Sequence, residues 1–84
     1  MASIQLKLFA SLREAVGIEQ QRMEITSDYS VAMLLEQLSE ESDSFKEYVS
    51  DLPVLVAVNQ AMVDMDFMLQ DADEVALFPP VTGG

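Results

Sequence analysis

The chain contains no cysteine, no histidine and no tryptophan among its 84 residues. Without thiols there is no disulfide frame, no thiolate nucleophile, no persulfide and no thiolate zinc site. Without imidazole there is no histidine base and no Cys/His metal cluster. Positive charge is scarce too: 4 Lys and Arg stand against 15 Asp and Glu, a formal net charge of −11 at pH 7. Such a chain repels phosphate, so nucleic acid and anionic membranes are poor partners; a basic protein surface or a cationic cleft suits it better. No apolar run approaches the roughly 20 residues of a membrane helix. The first residues lack the basic start and long apolar block of a signal peptide. These absences predict a soluble, cytoplasmic protein with no bound metal or cofactor.

What is present is globular in character, with 50% hydrophobic and 23% charged residues. A chain this short buries roughly 60% of its unfolded surface, enough for one small core. Ile4, Leu6 and Leu8 alternate with Gln5 and Lys7, the period of a strand with one buried face. Leu12 to Val16 suits a short helical turn that Gly17 stops. Arg22 to Thr26 alternates again, with Met23 and Ile25 toward the core, and pairs with the first strand as an antiparallel hairpin. Ser30 is placed to cap a helix whose apolar stripe is Val31, Leu34, Leu35 and Leu38. Glutamates near Glu41 oppose the helix dipole and end it there. Phe45, Tyr48, Val49 and Leu52 repeat the helical spacing up to Pro53. Val54 to Val58 predicts a strand buried on much of both faces. Asn59-Gln60 suits a turn, Met62 to Asp66 a short edge strand, Asp71-Ala72-Asp73 a tight turn, and Glu74 to Phe78 the last strand. Glycine would be easier than Ala72 if that turn needs positive φ.

This order predicts an α+β fold, a mixed sheet with one main helix packed across one face. If the first and last strands are parallel neighbours in the middle, the topology is a β-grasp, the ubiquitin-like arrangement. Residues 1–78 form the domain, and residues 79–84 an extended, flexible C-terminal tail ending in Gly-Gly.

Parity then singles out two aromatics. With Leu6 and Leu8 inward, Phe9 falls on the side of Gln5 and Lys7. With Val75 and Leu77 inward, Phe78 faces away with Glu74 and Ala76. If parity slips at the strand ends, both rings turn into the core. If it holds, Phe9 and Phe78, joined by Met62, form an apolar patch on an acidic protein, which marks a site for another protein. The other methionines read as core filler. Asp64, Asp66, Asp71, Asp73 and Glu74 crowd one region, but the calcium loop's glycine and final glutamate are not in register, so no metal site is expected. Glu36, Glu40, Glu41 and Asp43 read as a solvated helix face.

The tail reads Phe78-Pro79-Pro80-Val81-Thr82-Gly83-Gly84. The prolines stop the sheet ladder and hold the exit stiff and extended. The glycines have no Cβ, so the end passes a narrow channel and offers an unhindered carboxylate. A carboxylate becomes an electrophile once an enzyme joins it to AMP. The chain would then carry an acyl group without supplying a catalytic side chain, in keeping with its missing Cys and His.

With Leu8-Phe9-Ala10, Leu12-Arg13-Glu14, Val16-Gly17, Ala57-Val58-Asn59-Gln60, Asp73-Glu74-Val75-Ala76 and the full tail, the sequence resembles the small subunits of molybdopterin synthase. These are the ubiquitin-like sulfur carriers of molybdenum cofactor biosynthesis. The resemblance implies that a ubiquitin-activating-like adenylyltransferase uses ATP to adenylate Gly84, which becomes a thiocarboxylate. It implies that Pro79, Pro80, Val81, Thr82 and Gly83 insert with Gly84 into the large subunit. There the sulfur passes to cyclic pyranopterin monophosphate to form molybdopterin. Catalytic residues are expected on the large subunit, two small subunits sit at opposite ends of a large-subunit dimer, and Phe9, Met62 and Phe78 lie at the interface. A carrier for thiamine or tRNA thiolation, a ubiquitin-like protein modifier, and an adaptor that never uses its terminus are the alternatives.

Overall fold

The alternation at the start of the chain is realised as β1 (Ala2–Leu8), with Ile4, Leu6 and Leu8 fully buried. A computed structural model describes residues 2–51 and 54–79. A short helix, α1 (Ala10–Val16), follows, and only Leu12 of it is buried. Gly17 ends it at φ 84°, a left-handed value that glycine adopts without a Cβ clash, and its amide donates to the Arg13 carbonyl at 2.8 Å. Strand β2 (Gln20–Ile25) then runs antiparallel to β1, from Ala2↔Ile25 to Lys7↔Gln20, with Met23 and Ile25 in the core.

Helix α2 (Val31–Glu41) begins where Ser30 caps it: its hydroxyl accepts the Met33 amide at 3.2 Å. Val31, Leu34 and Leu38 are buried and Leu35 is half-buried, as the stripe required. Ser42 both ends α2 and opens α3 (Asp43–Asp51), accepting the Phe45 amide at 3.1 Å. Phe45 is fully buried and Tyr48 reaches Ser11 of α1 at 2.7 Å. The expected helix spacing through Leu52 and the stop at Pro53 lie outside the described residues.

Strands β3 (Leu55–Val58), β4 (Ala61–Val63) and β5 (Glu74–Phe78) complete a five-stranded sheet in the order β2-β1-β5-β3-β4. Strands β1 and β5 are parallel neighbours and the other pairings are antiparallel. This is the β-grasp arrangement. The core lies between one sheet face and the helices.

From Val54 to Val58 all but Leu55 are buried, in keeping with a strand buried on much of both faces, although Val54 precedes β3. Two expectations need correction. The edge strand spans Ala61–Val63, not Met62 to Asp66, because the Asp64 carboxylate accepts the Asp66 amide at 3.1 Å and turns the chain. The segment after it runs to the start of α2, where the Val31 and Ala32 amides donate to the Phe67 and Met65 carbonyls, each at 3.0 Å. The methionines are not mostly filler either: Met23 is buried, while Met33, Met65 and Met68 are exposed along with Met62.

Candidate functional site: the open face of the sheet

The register sets out the face of the sheet turned away from the helices. Lys7 pairs with Ala76, Ala76 with Ala57, and Ala57 with Met62, one row across four strands. Beside it, Phe78 pairs with Leu55, and the Phe9 amide donates to the Leu77 carbonyl at 3.2 Å, which seats Phe9 against β5. Parity therefore does not slip. Phe9 and Phe78 stack on the open face, with centroids 5.0 Å apart and planes 13° from parallel. The two alanines keep the floor shallow, so the flanking rings, Leu55 and Met62 stand above it. Phe9 is 38% exposed, Leu55 36% and Met62 60%, large values for apolar side chains grouped on one face.

Leu55 was not singled out from the sequence. Its signal lay in the run Val54-Leu55-Val56-Ala57-Val58, where the small Ala57 marks the outward parity and Leu55 shares it. A continuous apolar run hides that parity.

The other half of the face is polar. Ser3 pairs with Glu24, Gln5 with Arg22 and Lys7 with Gln20. The Lys7 ammonium meets Glu74 at 3.2 Å between β1 and β5 and borders the apolar half. Both groups are substantially exposed, so this pair contributes under about 1 kcal/mol. Beside Phe9 lies a depression of about 200 Å³ lined in part by Lys7, Arg13, Glu19 and Gln20. It brings two of the chain's few cations to the rim of the patch.

The far end of β5 fixes where the strand points. Asn59 takes φ 51° and its amide donates to the Glu74 carbonyl at 2.8 Å. Its side-chain oxygen accepts the Glu74 amide at 3.0 Å, and its side-chain nitrogen donates to Asp73 at 3.0 Å. The other Asp73 oxygen accepts the Gln70 amide at 2.8 Å, closing a turn in which Ala72 has φ 72°. Asp71 accepts the Ser3 amide at 2.9 Å. Of the crowded acids, Asp64, Asp71 and Asp73 thus serve as acceptors for backbone amides, and Glu74 pairs with Lys7. Through them the Val-Asn-Gln and Asp-Glu-Val segments lock the β3–β5 register. That lock places Phe78 opposite Leu55 and delivers Pro79 at the edge of the apolar patch. Pro80, Val81, Thr82, Gly83 and Gly84 lie outside the described residues.

The arrangement is an exposed apolar patch beside the exit of a central strand. A match to the ThiS family spans residues 6–84. The chain belongs to the ThiS family. The molybdopterin synthase sulfur carrier subunit of Escherichia coli is 42% identical over 96% of this chain and 99% of its own length. The small archaeal modifier protein 3 of Haloferax volcanii is 33% identical over 96% of this chain and 98% of its own length. The crystal structure of SAMP1 from Haloferax volcanii superposes with a TM-score of 0.84 at 30% identity, covering 99% of this chain and all of that one. The resemblance to the molybdopterin synthase small subunits is thus borne out, and with it the β-grasp topology of this ThiS family member. Among the described residues, no helix is long and apolar enough to cross a membrane.

Proposed function

We propose that this ThiS family chain is the sulfur carrier of molybdopterin synthase. The observation that carries the reading is the stacked Phe9–Phe78 pair at the root of the glycine-ended tail. It joins an apolar docking face to a carboxylate that can reach into a partner. The name of the 42% identical relative points the same way. A ubiquitin-activating-like adenylyltransferase binds the chain, and the Gly84 carboxylate attacks the α-phosphorus of ATP, releasing pyrophosphate. Hydrosulfide, supplied by a sulfur donor, attacks the acyl carbon and displaces AMP, and the acyl group is left as a thiocarboxylate. Pro79 to Gly83 carry it into the large subunit while Phe9, Met62 and Phe78, with Leu55, cover the partner's surface. The thiocarboxylate sulfur bonds to cyclic pyranopterin monophosphate, water breaks the acyl–sulfur bond, and the chain returns to its carboxylate. The assembly is a cytoplasmic heterotetramer with two copies of each subunit, whose catalytic side chains belong to the large subunit.

One residue added after Gly84 tests this reading in a reconstituted synthase. The extended chain should fold and bind the large subunit yet form no molybdopterin. Full activity would show that the terminus is not used and would leave an adaptor. The modifier relative supports a second reading, in which Gly84 forms isopeptide bonds with lysines. Conjugates that survive a denaturing gel would favour it.

A further inference from the structure

A second group of exposed apolar side chains lies away from the open sheet face. Met33, on the first turn of α2, is 43% exposed; Met68 is 51% exposed, and Met65 and Phe67 are exposed as well. Backbone bonds bring these residues together. The Ala32 amide donates to the Met65 carbonyl, the Val31 amide to the Phe67 carbonyl, and Ser30 forms a β-bridge with Met68. The group therefore sits beside the first turn of α2, whose Val31 and Leu34 pack into the core. An adjoining depression of about 380 Å³ is lined by Tyr29, Met33, Glu36, Gln37 and Glu40.

Its charge is one-sided. Glu36 and Glu40 line the depression, and Asp64 and Asp66 flank Met65 in the chain. The chain's cations are Lys7, Arg13, Arg22 and Lys46, so residues 23–45 and 47–84, which supply the whole group, contain none. Burying these thioethers and the Phe67 ring under an anionic or neutral partner would crowd like charges or leave acids unpaired. A cationic, amphipathic segment solves both problems. Its apolar side covers the methionines, whose unbranched side chains adapt to many shapes, and its Lys or Arg residues reach Glu36 and Glu40.

We propose that Met33, Met65, Phe67 and Met68, with Glu36 and Glu40, form a second docking surface for a basic amphipathic helix of a partner protein. It is separate from the open sheet face and does not depend on the sulfur-carrier reading.

The test uses the full chain with methyl-labelled methionines and a synthetic 18-residue Leu/Lys amphipathic helix as probe. Met62 reports the open sheet face, Met23 the core, and Met33, Met65 and Met68 the proposed surface. Titration should shift the last three methyls while Met62 stays in place. The variant M65E/M68E should weaken binding at least ten-fold, and E36Q/E40Q, which keeps the apolar group, at least three-fold. Both change exposed side chains, and an unchanged thermal midpoint verifies the fold. A probe that moves Met62 first, or a Leu/Glu helix that binds equally well, would overturn the proposal. So would patch methyls that shift with the chain's own concentration, since the occupant would then be a second copy.

Discussion

Phe9, one residue past the end of β1, and Phe78, the last residue of the parallel neighbour β5, stack with centroids 5.0 Å apart, although 68 residues of sequence separate them. Both rings stay partly exposed, so the fold holds an aromatic pair in register on a face that it does not bury. Under the proposed function such a pair would act as a preformed anchor, since partner binding need not order the rings and little conformational entropy would be lost on docking.

Phe78→Ala should therefore cost more in binding than in folding. Loss of the stacked pair is worth about 1 kcal/mol to the free chain. Affinity for the large subunit should fall at least ten-fold, about 1.4 kcal/mol or more. Calorimetric titration and a melt of the same variant check it. Unchanged affinity would place the ring outside the contact.

Ala72→Gly should stabilise the chain. Ala72 holds φ 72° in the turn that Asp73 closes, and a left-handed alanine costs about 1–2 kcal/mol. Glycine removes that strain and returns roughly 0.4–1 kcal/mol to the unfolded chain as entropy. The net gain is about 0.5–1 kcal/mol, a rise of a few degrees in thermal midpoint. A lowered midpoint would show that the turn is not strained.

Tyr29 should make stability fall in alkali. Burial raises its phenol above the ordinary value, and the nearby charge of Glu41 adds to the shift. The phenol donates to Gln37, a bond that the neutral form makes. A raised value means that the folded chain holds the proton more tightly. This contribution is fully present below the unfolded value near pH 10 and is lost as pH rises through the folded one. Tyr29→Phe should show a shallower loss of denaturant stability over that window. Parallel curves for the two chains would contradict the assignment.

The parts of the fold that depend on periodicity were readable from sequence. Ile4, Leu6 and Leu8 declare their face by alternation, and the Val31 to Leu38 stripe declares its own. The outward parity of Phe9 and Phe78 followed from the same counting carried to the strand ends. The tight turn at Asp71-Ala72-Asp73 was readable from its residue types, and the positive φ at Ala72, left open by the sequence, is seen in the structure. Leu55 escaped because an unbroken apolar run does not show which side faces out. The early end of β4 escaped because a side-chain bond from Asp64 overrides strand propensity. The exposed Met65, Phe67 and Met68 escaped for a different reason. Their segment has no period, and its place is set by bonds to the start of α2, more than thirty residues earlier in the chain.

The most direct test of the sulfur-carrier account is the intact mass of the chain after incubation with ATP, a sulfur donor and the activating enzyme of its own organism. The account predicts a gain equal to the exchange of one oxygen for one sulfur, mapped to Gly84 and absent when Gly84 is deleted. An unchanged mass, with the same enzyme active on another carrier, would contradict it.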